Sequence, residues 1–224
     1  MPFGILGGTF DPIHLGHLAV AAAVERALGL DRILLVPART PPHRSAPLVS
    51  IYHRFAMVAL AAMTAEALVA SDLDLDSSEP SYTSTLLERF AARGHTASQM
   101  VFITGADAFA EIATWRHYPA ILDRAHFAVV SRPGLEATTL PASLPALADR
   151  FLAVRPAGDG RSFELPETPR ILLIDAETPD VSSTQVRERA REGGPLTDLL
   201  PASVAAYVRR HGLYLDAPDG RCIA

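Results

Sequence analysis

The chain has 224 residues, of which 49% are hydrophobic, and its formal net charge is −5. This length and apolar content suffice for one domain with a buried core, and an acidic balance without a basic run excludes an extended nucleic-acid-binding surface. The longest apolar stretch, 55–65, is too short to span a membrane and is expected as a buried helix. We therefore predict a single domain over residues 1–224, with a C-terminal helical part at about 182–214.

Cysteine and lysine usage narrow the chemistry further. Cys222 is the only cysteine, which fits a reducing compartment, and the N-terminus lacks the basic region of a secretory signal, so we expect a cytoplasmic protein. All 20 basic residues are arginines, which excludes a Walker A lysine, a lysine adenylate and a Schiff base. Any phosphate clamp must therefore be built from arginine, histidine, backbone N–H groups or a metal.

Apolar, β-branched runs alternate with helical patterns along the chain, which predicts an α/β fold with a mainly parallel sheet and helices on both faces. The predicted strands are Phe3–Leu6, Ile33–Pro37, Leu68–Leu73, Met100–Thr104, Phe127–Ser131 and Ile171–Ile174. The predicted helices are Leu18–Leu28, Tyr52–Thr64, Ser84–Arg93, Ala106–Ile112 and Pro119–Ala125. Right-handed crossovers then bring the loops after the strands to one edge of the sheet, where a ligand cleft is expected.

The C-terminal quarter is predicted as helices that cap the sheet. One helix is expected from a Ser-Ser-Thr cap at 182–184 to Glu192, and another from Pro201 to near Gly212. Residues 133–169 are the least readable part, with a helix expected around Leu144–Phe151 and a strand near Phe151–Arg155.

Residues 7–18, GGTFDPIHLGHL, are the most informative stretch. Gly7 and Gly8 follow a predicted strand and let the backbone approach a ligand. The start of the next helix favours an anion through its N–H groups and dipole. His14 and His17 are three residues apart, which places both rings on one side of a helical turn. Together these features indicate a phosphate site with two histidine donors.

Two other interpretations of the histidine pair are weaker. A zinc site would need a third or fourth ligand, and the only cysteine lies in the C-terminal tail, so we predict no protein-bound metal. Ordinary helix-start histidines would not require the flanking glycines and the Asp-Pro turn.

The block is the (H/T)xGH signature of the nucleotidyltransferase superfamily, and the chain resembles the bacterial nicotinate mononucleotide adenylyltransferases from Phe3 to about Tyr214. Further blocks carry the resemblance, namely VPARTPPHR, PSYTSTL, ITGADAF, TWRHY, SRPG and SSTQVR. The resemblance implies a Rossmann-like nucleotidyltransferase fold with a small C-terminal helical cap. It also implies an enzyme that joins nicotinate mononucleotide to ATP in NAD biosynthesis and releases pyrophosphate.

The resemblance assigns the ATP side of the site. It implies that His14, His17, Arg44 and Arg187 act on the phosphates during transfer. It implies ATP binding by Gly7, Gly8, Thr9, Phe10, His17, Gly105, Asp107, Ser183, Thr184 and Arg187. Purely structural alternatives are open: Arg44 could be a surface arginine on a mobile loop, SSTQVR could be only a helix cap, and Asp107 could be an N-cap, which does not exclude a ribose contact.

The resemblance also assigns the acceptor side. It implies that Trp115 stacks on the pyridine ring, that Thr83 and the backbone N–H of Arg116 hold the nicotinate carboxylate, and that Arg132 faces the mononucleotide phosphate. A lone tryptophan is otherwise often a core residue, although TWRHY is polar around it.

The expected substrates are ATP and nicotinate mononucleotide, with Mg²⁺ carried in mainly by the nucleotide. The alternatives are the same chemistry on nicotinamide mononucleotide or phosphopantetheine, a cytidylyl transfer to a polyol phosphate, or a non-catalytic nucleotide sensor. No nucleic-acid or membrane partner is expected, and a homo-oligomer is left open.

Overall fold

The computed structural model describes residues 1–42, 46–154 and 163–215. Its strands are β1 (Phe3–Gly8), β2 (Ile33–Pro37), β3 (Leu68–Ala70), β4 (Met100–Gly105), β5 (His126–Val130), β6 (Phe151–Ala153) and β7 (Ile171–Ile174). Its α-helices are α1 (Leu15–Leu28), α2 (Ile51–Ala62), α3 (Thr83–Ala92), α4 (Ala106–Ala110), α5 (Leu140–Ser143), α6 (Ser183–Arg191) and α7 (Ala202–Arg210). The strands form one sheet in the order β3-β2-β1-β4-β5-β7-β6, and all of these pairings are parallel.

Helices cover both faces of this sheet, and each face has its own apolar core. Side chains of α1, α2, α6 and α7 pack on one face, and those of α3, α4 and α5 pack on the other. Successive residues of a strand serve the two cores in turn: Ile103 of β4 lies in the first core and Phe102 in the second. The α/β class, the parallel sheet and the helices on both faces are confirmed.

The strand order reverses between β1 and β4. These strands pair directly, with Phe3 opposite Met100 and Leu6 opposite Ile103. The chain leaves β1 for helix α1 on one face and leaves β4 for helix α4 on the other. Because the two connections diverge, a crevice opens at the carboxyl ends of these strands, where ligands of open α/β sheets bind.

Several predicted boundaries differ from the structure. Helix α1 begins at Leu15 instead of Leu18, because its first turn contains Gly16 and His17 and so lacks the apolar periodicity of the rest. Strand β3 ends at Ala70, since Ser71 to Asp76 form a polar loop rather than a longer strand. The last predicted turn of the 106–112 helix is a 3₁₀ turn at Ile112–Thr114, and the expected helix at 119–125 is a 3₁₀ turn at Ala120–Asp123.

The least readable segment is also only partly as predicted. The helix expected around 144–151 is a 3₁₀ helix at Pro145–Arg150, and a short strand follows it, as expected, until Ala153. Arg155, the predicted end of that strand, lies outside the described residues. Within the described ranges, none of the helices combines the length and the apolar composition that crossing a bilayer requires. The single-domain organisation and the cytoplasmic location stay predictions.

Candidate active site

A cavity of about 510 Å³ opens at the carboxyl edge of the sheet, next to the ends of β1 and β4. Its wall brings together residues from blocks that are up to 176 positions apart in the sequence. The predicted site residues that line it are Gly7, Gly8, Thr9, Phe10, His17, Thr83, Gly105, Asp107, Trp115, Arg116, Arg132 and Ser183. His14, Thr184 and Arg187 lie outside this wall. Arg44 lies outside the described residues.

The two signature histidines differ in exposure. His17 lines the cavity and is half-buried. The main-chain N–H of His14 donates to Nδ1 of His17 at 3.3 Å, so a neutral His17 carries its proton on Nε2. His14, which is the N-cap of α1, is only 3% exposed and stacks on His17. Of the two histidines, only His17 lines the cavity.

The buried position of His14 also decides its charge. Burial lowers the pKa of His14 to about 4, and the positive charge of Arg132 acts in the same direction. His14 is therefore neutral at neutral pH in the ligand-free protein. The sequence suggests two equivalent protonatable donors, whereas the structure provides one ring at the cavity and one neutral ring behind it.

Glycines in the signature make room for aromatic rings. A Cβ on Gly8 would lie 2.9 Å from the ring of Phe10, and a Cβ on Gly16 would lie 3.0 Å from Nδ1 of His14. A Cβ on Gly7 would make only ordinary contacts, the nearest at 3.5 Å with Phe102. A side chain at Gly8 or Gly16 would force the neighbouring ring to shift, so packing around the signature favours glycine at both positions, in addition to any close approach of a ligand.

The N-terminus of α1 is less open to an anion than the sequence suggests. The main-chain N–H of Leu15 donates to the carbonyl oxygen of Leu199 at 2.9 Å, so this group is already paired. The positive end of the helix dipole and His17 remain as the features that favour an anion there. This hydrogen bond from Leu15 to Leu199 is a tertiary contact that the local sequence did not indicate.

The end of β4 carries a charged pair at the cavity. Nε of Arg132 lies 3.8 Å from Oδ1 of Asp107, and both side chains are partly exposed. A Cβ on Gly105 would lie 2.5 Å from that same carboxylate oxygen and 3.1 Å from Cδ of Arg132. The glycine of the GAD block therefore leaves the space in which this acid and this arginine meet. Asp107 lies in the first turn of α4 and is not its N-cap, which is Gly105.

The predicted acceptor residues come from three separate segments. Trp115 is half-buried and packs edge-on against Phe102, with 6.1 Å between ring centroids and 90° between planes. Its ring also lines the cavity, so it is both a core contact and part of the wall. Thr83 is the first residue of α3, and the guanidinium of Arg116 lies 4.8 Å from the ring centroid of Tyr82.

The start of α6 is bonded to the signature loop. Ser182 caps the helix by accepting from the N–H of Gln185, so this block does act as a helix cap. Ser183 Oγ donates to the carbonyl oxygen of Pro12 at 2.9 Å. Arg187 donates to the carbonyl oxygen of Asp11 at 2.9 Å and to Oγ1 of Thr184 at 3.0 Å. These side chains hold the loop in the ligand-free protein, and only Ser183 reaches the cavity wall.

Two groups in this region were missed by sequence reasoning. Asp74 is buried at the cavity, where it accepts from Arg89, from the N–H of Arg39 and from the hydroxyl of Ser81, and so ties the loop after β2 to the segment before α3. Arg54 on α2 is almost fully buried and bonds to main-chain carbonyls. An arginine between apolar residues of a predicted core helix was the one available signal for the second group.

The donor set also bears on metals. Within residues 1–42, 46–154 and 163–215, no group of three or more His, Cys, Asp or Glu side chains could hold a metal ion. His14 and His17 stack on each other rather than converge on a common point. The role of Mg²⁺ and the absence of a protein-bound metal stay predictions.

Comparison with known proteins shows the family of this chain. The cytidylyltransferase-like family model matches residues 5–189. A probable nicotinate-nucleotide adenylyltransferase of Roseiflexus sp. (strain RS-1) is 41% identical, over 95% of this chain and 98% of that protein. Another from Desulfatibacillum aliphaticivorans is 38% identical, over 96% and 100%.

A solved structure shares the fold. The Plasmodium falciparum nicotinic acid mononucleotide adenylyltransferase, complexed with NaAD, superposes with a TM-score of 0.69 at 18% identity, over 95% of this chain and 97% of that one. From the family match and the near full-length relatives together, the chain belongs to the nicotinate-nucleotide adenylyltransferase family of cytidylyltransferase-like proteins.

Proposed function

We propose that this chain is an adenylyltransferase that joins nicotinate mononucleotide to the AMP moiety of ATP, giving nicotinic acid adenine dinucleotide and pyrophosphate in NAD biosynthesis. The observation that carries the proposal is that the wall of one cavity contains both His17 of the signature and Trp115 with Thr83 of the acceptor blocks. The relatives' names and the NaAD complex of the P. falciparum protein support the same reaction.

The reaction is a direct displacement. A phosphate oxygen of nicotinate mononucleotide attacks the α-phosphorus of ATP, the new P–O–P bond forms, and the bond from the α-phosphorus to the bridging oxygen of the β-phosphate breaks. Pyrophosphate leaves with the electron pair of that bond. Such transfers need positioning and charge stabilisation more than covalent chemistry.

His17 is the proposed main donor to the transferring phosphate. With Nδ1 accepting from the His14 N–H, its Nε2–H donates toward the anion at the start of α1, where the helix dipole adds to the stabilisation. His14 supports this ring by stacking on it. Arg187 and Arg44 are proposed to bind the triphosphate. For Arg187 this requires exchanging its bond to the Asp11 carbonyl for a phosphate.

The nucleotide and acceptor groups follow the two sides of the cavity. Asp107 is proposed to accept from ribose hydroxyls, next to Gly7, Gly8, Thr9, Phe10 and Gly105. Thr83 and the backbone N–H of Arg116 are proposed to donate to the nicotinate carboxylate, Trp115 to stack on its ring, and Arg132 to face the mononucleotide phosphate. Mg²⁺ belongs to the substrate MgATP in this proposal, since the phosphate oxygens supply its ligands.

The decisive experiment is a pyrophosphate-release assay with ATP and a panel of acceptors: nicotinate mononucleotide, nicotinamide mononucleotide, phosphopantetheine and a polyol phosphate, the last also with CTP. Fastest release with nicotinate mononucleotide and ATP supports the proposal. Faster release with another acceptor reassigns the substrate while it retains nucleotidyl transfer. Tight ATP binding without release under any condition would instead indicate a nucleotide sensor on the same fold.

A further inference from the structure

The loop after β1 is held from behind by a buried cation. Arg54 on α2 is 1% exposed, although it is charged and long. Its guanidinium donates to the carbonyl oxygens of Thr9 at 2.7 Å, Ala38 at 2.6 Å and Arg39 at 3.2 Å. Thr9 follows β1, whereas Ala38 and Arg39 follow β2, so one side chain joins the ends of two neighbouring strands.

These bonds orient the peptide groups that border the cavity. In a trans peptide the C=O and the N–H point in opposite directions, so fixing the carbonyl of Thr9 also fixes the N–H of Phe10. Thr9, Phe10 and Ala38 all line the cavity. The hydrogen bonds of Arg54 go to carbonyl groups and, among the residues described, not to a carboxylate, and the nearby carboxylates of Asp11 and Asp74 attract its positive charge without bonding to it.

A second buried group holds the next turn of the same loop. The carboxylate of Asp11 accepts from the hydroxyl of Tyr214 at 2.9 Å and from the N–H of Leu48 at 2.8 Å. Both Asp11 and Tyr214 are buried. The contact joins the signature to a residue 203 positions later, beyond the last helix.

Tyr214 is held in a conformation that a tyrosine rarely adopts. Its φ is +66°, in the left-handed region, where the Cβ of an L-residue crowds the following carbonyl oxygen. Such a conformation persists only where the surroundings favour it. Burial and the neighbouring Asp11 carboxylate raise the pKa of Tyr214, so its hydroxyl is a protonated donor throughout the neutral range. Arg54 and Asp11 attract each other electrostatically. The contact of Arg54 with Thr9 and that of Tyr214 with Asp11 therefore belong to one cluster of interacting groups.

We propose that Arg54 and Tyr214 are positioning residues for the adenylyl transfer: through the carbonyl of Thr9 and the carboxylate of Asp11 they set the signature loop in the geometry that aligns His17 with the reacting phosphate. This inference rests on the proposed function. Neither residue lines the cavity. Both act through the loop that does.

A positioning role predicts a split between kinetic constants. Transition-state stabilisation needs donors placed to within about half an ångström, whereas ground-state binding tolerates looser contacts. Loosening the loop should therefore lower kcat more than it raises the KM of ATP or of the acceptor. A purely structural role would instead lower the melting temperature and the amount of active enzyme, with unchanged kcat per folded molecule.

The experiment compares full-length variants with matched controls. Tyr214→Phe removes one hydroxyl and keeps the ring, and its control is Tyr52→Phe, since Tyr52 is 65% exposed. Arg54→Lys keeps the charge but not the planar guanidinium that bonds three carbonyl groups at once. Its control is Arg26→Lys on the exposed face of α1. We measure kcat, both KM values and the melting temperature, with the active fraction taken from single-turnover amplitudes.

We expect Tyr214→Phe to lower kcat about tenfold and Arg54→Lys at least about tenfold, with each KM within about threefold of wild type. Both controls should keep the wild-type kcat. Arg54→Ala, assayed with millimolar guanidinium ion, should recover part of its lost kcat, because the ion can enter the vacated carbonyl cluster.

The proposal would be overturned by folded Tyr214→Phe and Arg54→Lys enzymes with wild-type kcat, or by losses confined to melting temperature and active fraction. If Arg54 variants do not fold, the Tyr214→Phe result alone decides. A wild-type enzyme that makes no dinucleotide would overturn the proposed function as well. In that case the Tyr52→Phe and Arg26→Lys controls would also be inactive, whereas a failure of the positioning role alone leaves wild type and controls active.

Discussion

The imidazole rings of His14 and His17 stack with 3.7 Å between their centroids and 28° between their planes. The outer ring lines the cavity, and the inner one is buried and neutral at neutral pH. Two residues of one type, three positions apart, therefore have different roles, because burial separates them.

The first prediction concerns the outer ring. His17→Ala should lower kcat about a hundredfold, which corresponds to about 3 kcal/mol, because the variant loses a donor that acts on transition-state charge. Steady-state kinetics measure this, and an unchanged melting temperature shows that the fold is intact. His95→Ala is the matched control, since His95 contacts Phe3 at the opposite edge of the sheet. Near wild-type turnover in folded His17→Ala would refute the assignment.

The second prediction concerns the inner ring and pH. The pKa of His14 is lowered from 6.5 to about 4 in the folded chain, so unfolding takes up a proton between these values. The contribution of His14 to stability is therefore complete above pH 6.5 and is lost as the pH falls toward 4, with about 2 kcal/mol lost by pH 5.

Urea unfolding of wild type and His14→Gln at pH 8 and pH 5 measures this contribution. The difference between the two free energies of unfolding should change by about 2 kcal/mol in favour of the variant at pH 5. Other titrating groups, including the buried His126, cancel in the comparison. An equal difference at both pH values would show that His14 is not buried as a neutral ring.

The third prediction is acceptor choice. The kcat/KM for nicotinate mononucleotide should exceed that for nicotinamide mononucleotide by at least about a hundredfold, or roughly 3 kcal/mol. Donors placed for a carboxylate offer no acceptor to the NH₂ group of the amide. Thr83→Val should narrow the gap, and Trp115→Ala should weaken both acceptors through lost stacking. The measurement is kcat/KM for each acceptor in each protein. Equal values for the two acceptors would refute the nicotinate assignment while leaving adenylyl transfer intact.

The fourth prediction concerns metals. Activity should require an added divalent cation such as Mg²⁺, and it should be abolished by a chelator and restored by Mg²⁺. Elemental analysis of protein purified without added metal should find no stoichiometric zinc, because the stacked histidines offer no cage. One zinc per chain, lost in a His14→Ala, His17→Ala double variant, would contradict the phosphate role of the motif.

Much of the fold and of the cavity wall could be predicted from the sequence, because these features depend on local order. Strands β2 and β7 have the predicted bounds, since short apolar runs between turn residues specify them directly. Motifs placed at strand ends meet at one edge of a parallel sheet, which is why Gly8, Gly105 and Arg132 share a cavity.

The tertiary structure alone decided which polar groups face the ligand and which face the protein. Arg54 and Arg132 are both arginines, yet the first is enclosed by three carbonyl groups and the second lines the cavity. The partner of Asp11 is Tyr214, which no spacing rule connects to it. Residue type and order along the chain specify strands, turns and candidate donors, whereas burial and the pairing of distant hydrogen-bonding groups exist only once the helices have packed on the sheet.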